Sequence, residues 1–314
     1  MVGRVGTFTL SLDLELAWGS WQRNIPKSVF AQGASCALAL ERLSRELAFP
    51  FTWAIVTAVH DLDLTELDSV AATESVAVLR PDLGPFHQTL PTVGEIKRDP
   101  DAWLAPQVVQ ALRSSPVSHD LGTHTYFHAT PSTGEGLLRD LAASRKALGC
   151  ERLESIVYPR DEVAFPEVLD AAGLSNYRST GVAWYFRKSG KPERWGRVGH
   201  TLDQALGRAP QLATVQGSRP AVVQSSAILT LRTGIRRKIP YRIIRRRFLR
   251  PLQTAVETGG LYHLWTHPWN LALPASDALL LLEDVCQAAK RLVDAGDLQV
   301  QTMADLAHAA EHAE

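Results

Sequence analysis

Asp13 and Glu15 stand two residues apart at the end of an apolar, β-branched run, Thr7 to Leu14. On a strand that spacing puts both carboxylates on one face. Such a pair repels itself and is costly unless a cation or a proton sits between its members. A second group lies in the segment Gly122 to His128, where His124 and His128 are four residues apart. In a helical or turn segment, two such imidazoles face the same side and can bind one ion. With an acid they form the two-His, one-carboxylate set that leaves metal positions open for water and substrate. A third is Tyr158 to Glu162, where Pro159 interrupts regular pairing. There Arg160 could orient a carboxylate by a forked hydrogen bond, or pair on the surface with Asp161 or Glu162. A fourth is Leu261 to Asn270, in which His263, Trp265 and His267 alternate onto one face. A histidine with a pKa near neutrality is suited to proton transfer.

Each of these groups follows a segment that reads as a strand. Thr7 to Leu14, Phe51 to Val59, Val117 to Gly122, Leu153 to Tyr158, Asn176 to Ser179, Leu261 to Thr266 and Leu298 to Gln301 are extended in pattern. Helical spacing runs over Ser28 to Leu47, Ala105 to Arg113, Gly136 to Leu148, Phe165 to Ala172, roughly Tyr241 to Glu257, Ser276 to Asp294 and an Ala-rich terminal stretch. Alternating strands and helices predict parallel βαβ units, and six or seven of them fit a barrel, whose active site gathers where the strands end. Between Gly181 and Pro220 the pattern dissolves into an irregular excursion.

The 314 residues carry 33 basic and 33 acidic side chains and are 45 % apolar, a composition that excludes disordered and collagen-like chains. Cys36, Cys150 and Cys286 are more than a hundred residues apart, which excludes a dense disulfide framework and reads as buried fillers in a reducing, cytoplasmic protein. The N-terminal apolar run ends in carboxylates and lacks a small-residue cleavage site, so it reads as a first strand. No apolar stretch approaches the roughly 20 residues that span a bilayer. No Gly-rich loop follows a strand, which disfavours nucleotide chemistry. The stretch Arg232 to Arg250 contains no acid. A basic amphipathic segment of this kind, extending to about residue 257, is either a solvated helix face or a patch that attracts phosphate groups or an anionic membrane surface. Nucleic acid is the poorer match, because no groove-reading motif accompanies the charge.

The order acidic doublet, His-x-x-x-His, Pro-Arg and late strand ending in His resembles the polysaccharide deacetylase family, the NodB-homology carbohydrate esterases, over roughly Thr7 to Ala307. That resemblance implies an α/β fold, a distorted (β/α)7 barrel, here as one domain over residues 1–314. It also implies a divalent metal, zinc foremost, and hydrolysis of an N-acetyl or related amide on an amino sugar or glycoconjugate precursor. By the same resemblance, Asp13 is the catalytic base, Glu15, His124 and His128 are metal ligands, Arg160 holds Asp13, and His267 is the acid. The family's adjacent aspartates before a glycine are here separated by Leu14, and the longer Glu15 can compensate for the shifted register; the two acids could exchange roles. Ala129 replaces the common proline after the second His, and no Asp-Trp pair follows Thr180. Small-molecule amidohydrolase or deformylase activity, and a non-catalytic barrel that binds glycan or lipid phosphate, are the alternatives. Trp18, Trp265 and Trp269 follow the motifs closely and are read as the substrate-facing aromatics, with Trp21 beside them. The absence of acid in the basic stretch suggests a phosphate-linked substrate or peripheral membrane contact through Arg232 to Arg250.

Overall fold

Strand β1 (Gly6–Leu14) is buried along its whole length. Its even residues, Phe8, Leu10, Leu12 and Leu14, join the main apolar core, whereas Ser11 and Asp13 make polar contacts across the barrel interior. The period-two alternation of a strand thus carries Asp13 inward, toward the mouth. The computed structural model describes residues 5–21, 23–62, 91–129, 131, 133–150, 152–179, 199, 201–229, 234–273 and 277–312.

From β1 the sheet runs in parallel through β2 (Thr52–Ile55), β3 (Asp120–Thr123), β4 (Ser155–Ile156), β5 (Asn176–Ser179) and β7 (Ala221–Gln224), with β6 (Val215–Gln216) beyond β7. β6 pairs antiparallel with β7 as an outer addition. On the other side of β1 come β9 (Leu261–Thr266) and then β8 (Ala227–Ile228), both parallel. β7 and β8 are two halves of one extended segment with a step at Ser225 and Ser226. The first half pairs with β5 and the second with β9. The step itself is bonded, since the Ser226 N–H donates to the His263 carbonyl and the His263 N–H donates to Ser226 Oγ. The segment therefore closes the sheet into a ring of seven parallel members, counting β7 and β8 as one. β10 (Leu298–Val300) pairs with the first part of β1, below the part that β2 occupies.

The sequence-predicted strands and helices appear with shifted ends. The helices include Lys27–Leu47, Pro106–Arg113, Gly134–Leu148, Tyr241–Thr258, Ala278–Asp294 and Met303–Glu311. The helix expected over Phe165 to Ala172 is instead a 3-10 turn, Pro166–Val168. Phe165 has a positive φ of 51°, so the chain enters the turn from a left-handed residue rather than from a helical one. Most of the irregular excursion, residues 180–198 and 200, lies outside the described residues; within 201–220 the chain forms a helical turn and then β6. Of the cysteines, Cys286 is fully buried while Cys36 and Cys150 are only partly so. Burial raises the pKa of all three thiols, that of Cys286 to about 12, as expected for inert packing groups.

The barrel floor is closed by the helix Met303–Glu311, whose Met303 and Leu306 pack with Ala54, Val157 and Val223. Asp120 accepts from Thr52 Oγ1, Ser155 Oγ and the Ala304 N–H at that end. Among the described residues, no helix is long and apolar enough to cross a membrane.

Candidate functional site

Asp13, Glu15, His124, His128, Arg160, Asp161, Arg178, Trp265 and His267 all line one cavity of about 680 Å3 at the C-terminal ends of the strands. Glu15 is the first residue after β1, and the chain then turns through Leu16 at φ 45°. Its carboxylate lies against Gly19, where a Cβ would stand 2.0 Å from Glu15 Oε2. A side chain at Gly19 would have to displace that carboxylate. The far oxygen, Oε1, accepts a 3.0 Å bond from Trp269 Nε1.

His124 follows β3 directly, and His128 stands at the end of a bend rather than on a helix, with Thr125 and His128 at φ 62° and 57°. Two carboxyl bonds fix this bend, because both oxygens of Asp140 accept from the Tyr126 N–H at 3.1 and 3.0 Å. The Ala129 N–H adds a bond to Thr125 Oγ1. The two imidazole rings sit 4.7 Å apart. His128 Nε2 is 2.9 Å and His124 Nε2 3.6 Å from Glu15 Oε2. His124 Nδ1 meets the Val157 carbonyl at 2.7 Å, so Nδ1 carries the proton and Nε2 faces Glu15. One donor atom from each of Glu15, His124 and His128 lies within 4.8 Å of the other two. Two imidazoles and one carboxylate, each oriented by a further bond or close contact, make a donor set that fits a divalent cation.

Burial pushes the Glu15 pKa up, but His267 and His128 beside it, with the imidazole bonds, hold it well below the usual carboxylate range. Burial alone would lower the His124 pKa, yet the bond to Glu15 and the charge of Asp13 raise it. For His128 burial prevails and the pKa falls. An anionic oxygen between two imidazole nitrogens has the electrostatics of a cation site.

The guanidinium that holds Asp13 is Arg178, not the expected Arg160. Arg178 Nη1 and Nη2 reach Asp13 Oδ1 and Oδ2 at 2.7 and 2.6 Å, both side chains being about 1 % exposed. The physical reason lies in the backbone. Arg160 and Asp161 both have positive φ, 59° and 55°, so the chain reverses after Pro159 and turns Asp161 inward while Arg160 stays exposed at the rim. Asp161 Oδ1 lies 3.5 Å from Arg178 Nη2. Burial raises the Asp161 pKa against the pull of Arg178, and Asp13 adds to the rise. Burial also raises the Asp13 pKa, but Arg178 outweighs it and holds the group below its usual value.

Arg178 itself is braced by two further contacts. Its Nη1 donates to Ser11 Oγ at 3.2 Å, and its Cζ lies 4.1 Å from the Trp265 ring centroid. Ser11 Oγ meets His263 Nε2 at 2.8 Å, and His263 Nδ1 meets the Gln224 carbonyl. Burial pushes the His263 pKa down to about 3, so this histidine is a neutral brace. No motif surrounds Arg178 in the sequence. Its sequence signal is an arginine at an inward position of a short strand between Asn176 and Ser179, where the burial alternates.

His267 stands at the end of β9, its Nε2 3.5 Å from Glu15 Oε1 and 3.8 Å from Asp13 Oδ2. The Asn270 side-chain amide meets His267 Nδ1 at 3.0 Å and so orients the ring with Nε2 facing the carboxylates. Of the three tryptophans expected to face substrate, Trp265 lines the cavity. Trp18 does not: it is 4 % exposed, packed edge-on against Trp103, and its N–H is used on the Trp103 carbonyl. Trp269 is also buried and serves Glu15 rather than the cavity wall. A chain that doubles back as a turn over Leu16 to Trp21 folds Trp18 under the rim.

No family model and no curated protein matches the sequence. Among solved structures, a Mycobacterium smegmatis protein assigned as a polysaccharide deacetylase superposes with a TM-score of 0.58 at 12 % identity, covering 99 % of this chain and 92 % of its own. A Pseudomonas aeruginosa protein with the same assignment has a TM-score of 0.54 at 12 % identity, with 99 % and 92 % coverage. PuuE allantoinase also has 0.54 at 12 %, with 99 % and 91 % coverage. At such identity the likeness concerns the fold. The chain therefore has the (β/α)7 barrel fold of the NodB-type polysaccharide deacetylases.

Proposed function

We propose that this protein is a metal-dependent amide hydrolase that removes an N-acetyl group from an amino sugar or a glycoconjugate precursor. The observation that carries the reading is the meeting, in one cavity, of a two-His, one-carboxylate donor set with a second, arginine-held carboxylate. Glu15, His124 and His128 would hold the ion. A divalent metal of the zinc class supplies Lewis-acid polarisation and a more acidic water when bound there.

Asp13 accepts the proton of the attacking water. Arg178 occupies one lone pair on each Asp13 oxygen and fixes the plane of the carboxylate, leaving a second lone pair on each. His267 acts as the imidazolium: it delivers its Nε2 proton to the amine as the carbon–nitrogen bond breaks and is left as the neutral ring, so that amide and water become carboxylic acid and amine. Trp265 offers a half-buried aromatic face for a sugar ring.

The deciding experiment is a screen of metal-loaded protein against N-acetylated and N-formylated sugars, free, nucleotide-linked and lipid-linked, with mass detection of the acid released. Acetate release that Asp13→Asn abolishes while bound metal is retained supports the proposal. Full activity in metal-stripped protein refutes it. Release of formate, or turnover only of non-sugar amides, moves the chain to the amidohydrolase reading.

A further inference from the structure

The acid-free basic stretch has no place in the hydrolytic site. In the described part, 234–250, eight arginines and lysines occur without a single Asp or Glu. On the helix Tyr241–Thr258, Arg242, Arg246 and Arg250 are exposed and four residues apart, so they form one stripe along the outer face. Arg245 is diverted to Asp284 and Arg247 is buried, so the stripe is only part of the basic content.

A second feature coincides with it. The most exposed large aliphatic side chains among the described residues include Ile235, Leu206 and Leu202, at 72, 65 and 56 %. Leu202 and Leu206 are four apart on the turn that begins at Thr201. That turn is tied to the basic segment at three points. Arg236 Nε reaches Thr201 Oγ1, the buried Arg247 guanidinium bonds the carbonyls of Asp203 and Arg208, and Gly207 abuts Ile243. Aliphatic tips and arginine stripe thus share one surface. A helix that joins the top of β8 to the bottom of β9 begins at the mouth end of the barrel, and Ile228 of β8 lines the cavity.

We propose that this surface, with Arg242, Arg246 and Arg250 beside Ile235, Leu202 and Leu206, docks the protein peripherally on an anionic lipid bilayer. Clustered guanidiniums attract anionic headgroups at roughly fivefold in affinity per charge, and exposed aliphatic tips enter the interface beneath them. The tips favour a bilayer over a nucleic acid or a soluble polyanion, which offers them nothing apolar. The proposal is independent of the hydrolytic reading.

Co-sedimentation tests it, with vesicles of phosphatidylcholine alone and vesicles containing phosphatidylglycerol, at low and physiological salt. The full chain is expected to bind the anionic vesicles only. Arg242→Gln/Arg246→Gln/Arg250→Gln is expected to bind on the order of 100-fold more weakly. The separate variant Ile235→Ser/Leu206→Ser, all charges kept, is expected to lose affinity at physiological salt. Both should keep the wild-type thermal unfolding midpoint. Absence of binding to anionic vesicles at low salt, or equal binding by the triple variant, overturns the proposal. So does binding that Ile235→Ser/Leu206→Ser leaves unchanged and that soluble polyphosphate or RNA competes away, since that identifies a soluble polyanion as the partner.

Discussion

Arg178 and Asp13 are buried together, and each is costly without the other. Arg178→Met should therefore destabilise the fold by about 3 kcal/mol, because it strands a carboxylate, while Arg178→Met/Asp13→Asn should recover much of that loss. Neither should recover turnover: Arg178→Met misplaces the base at a cost on the order of 100-fold in kcat with bound metal unchanged, and the double variant, which lacks the base, should be inactive. Arg160→Ala, at the exposed rim, should cost less than about tenfold. Urea unfolding and steady-state kinetics on the four proteins check this, and a larger loss for Arg160→Ala would return the holding role to that residue. Gly19 offers a second test at this scale. A methyl group there meets Glu15 Oε2, so Gly19→Ala should weaken metal binding by roughly 10- to 100-fold, the range seen when a group that orients a ligand is lost. Titration with a competing chelator measures it.

At the scale of elements, most of the barrel was legible because its strands are buried on both faces and its helices on one. β1 and the helix Tyr241–Thr258 were found nearly to the residue from periodicity. Asp13, Glu15, His124, His128 and His267 were legible because each lies where a recognisable strand ends. Arg178 was not, since it sits inside a four-residue strand with no motif around it, and its partner in sequence is 165 residues away. The exchange of Arg160 for Arg178 depends on two consecutive positive φ angles, which no side-chain pattern at Arg160 and Asp161 announces. Nor was the step between β7 and β8 legible, because strands of four and two residues carry too little periodicity to register. That step closes the ring through Ser226, whose N–H and Oγ both bond His263. Ser226→Pro removes the donor and the hydroxyl at once and should lower stability by about 3 kcal/mol. It should also lower activity, because His263 braces Arg178 through Ser11; Ser226→Thr, which keeps both groups, should behave as wild type. Equal stability of the two variants would mean that the seam contributes little.

At the scale of the whole molecule the barrel separates chemistry at its mouth from a titratable cluster at its floor. Burial pushes the Asp120 pKa up to about 6 and the His119 pKa down to about 4. The Phe51 N–H points at His119 Nδ1, the atom a second proton would occupy, and the ring packs against Phe51 and Trp53. The signs of their linkage to folding are opposite. Between about pH 6.5 and pH 4 the unfolded chain protonates His119 and the folded chain does not, so stability falls with acidification. Between about pH 6 and pH 4 the folded chain protonates Asp120 and the unfolded chain does not, so stability rises. Each contribution amounts to about 2 to 3 kcal/mol, and over this window they largely cancel. His119→Asn, whose amide oxygen can still accept the Phe51 N–H, removes only the falling contribution. Its unfolding free energy relative to wild type should therefore rise by about 2 kcal/mol from pH 7.5 to pH 4.5, while Asp120→Asn should move the opposite way. Urea unfolding at the two pH values measures both differences, and a difference that stays flat with pH would show that these groups titrate alike in the folded and unfolded chains. Turnover by His119→Asn at pH 7.5 should match wild type, because the floor of the barrel reaches the mouth only through the strands it anchors.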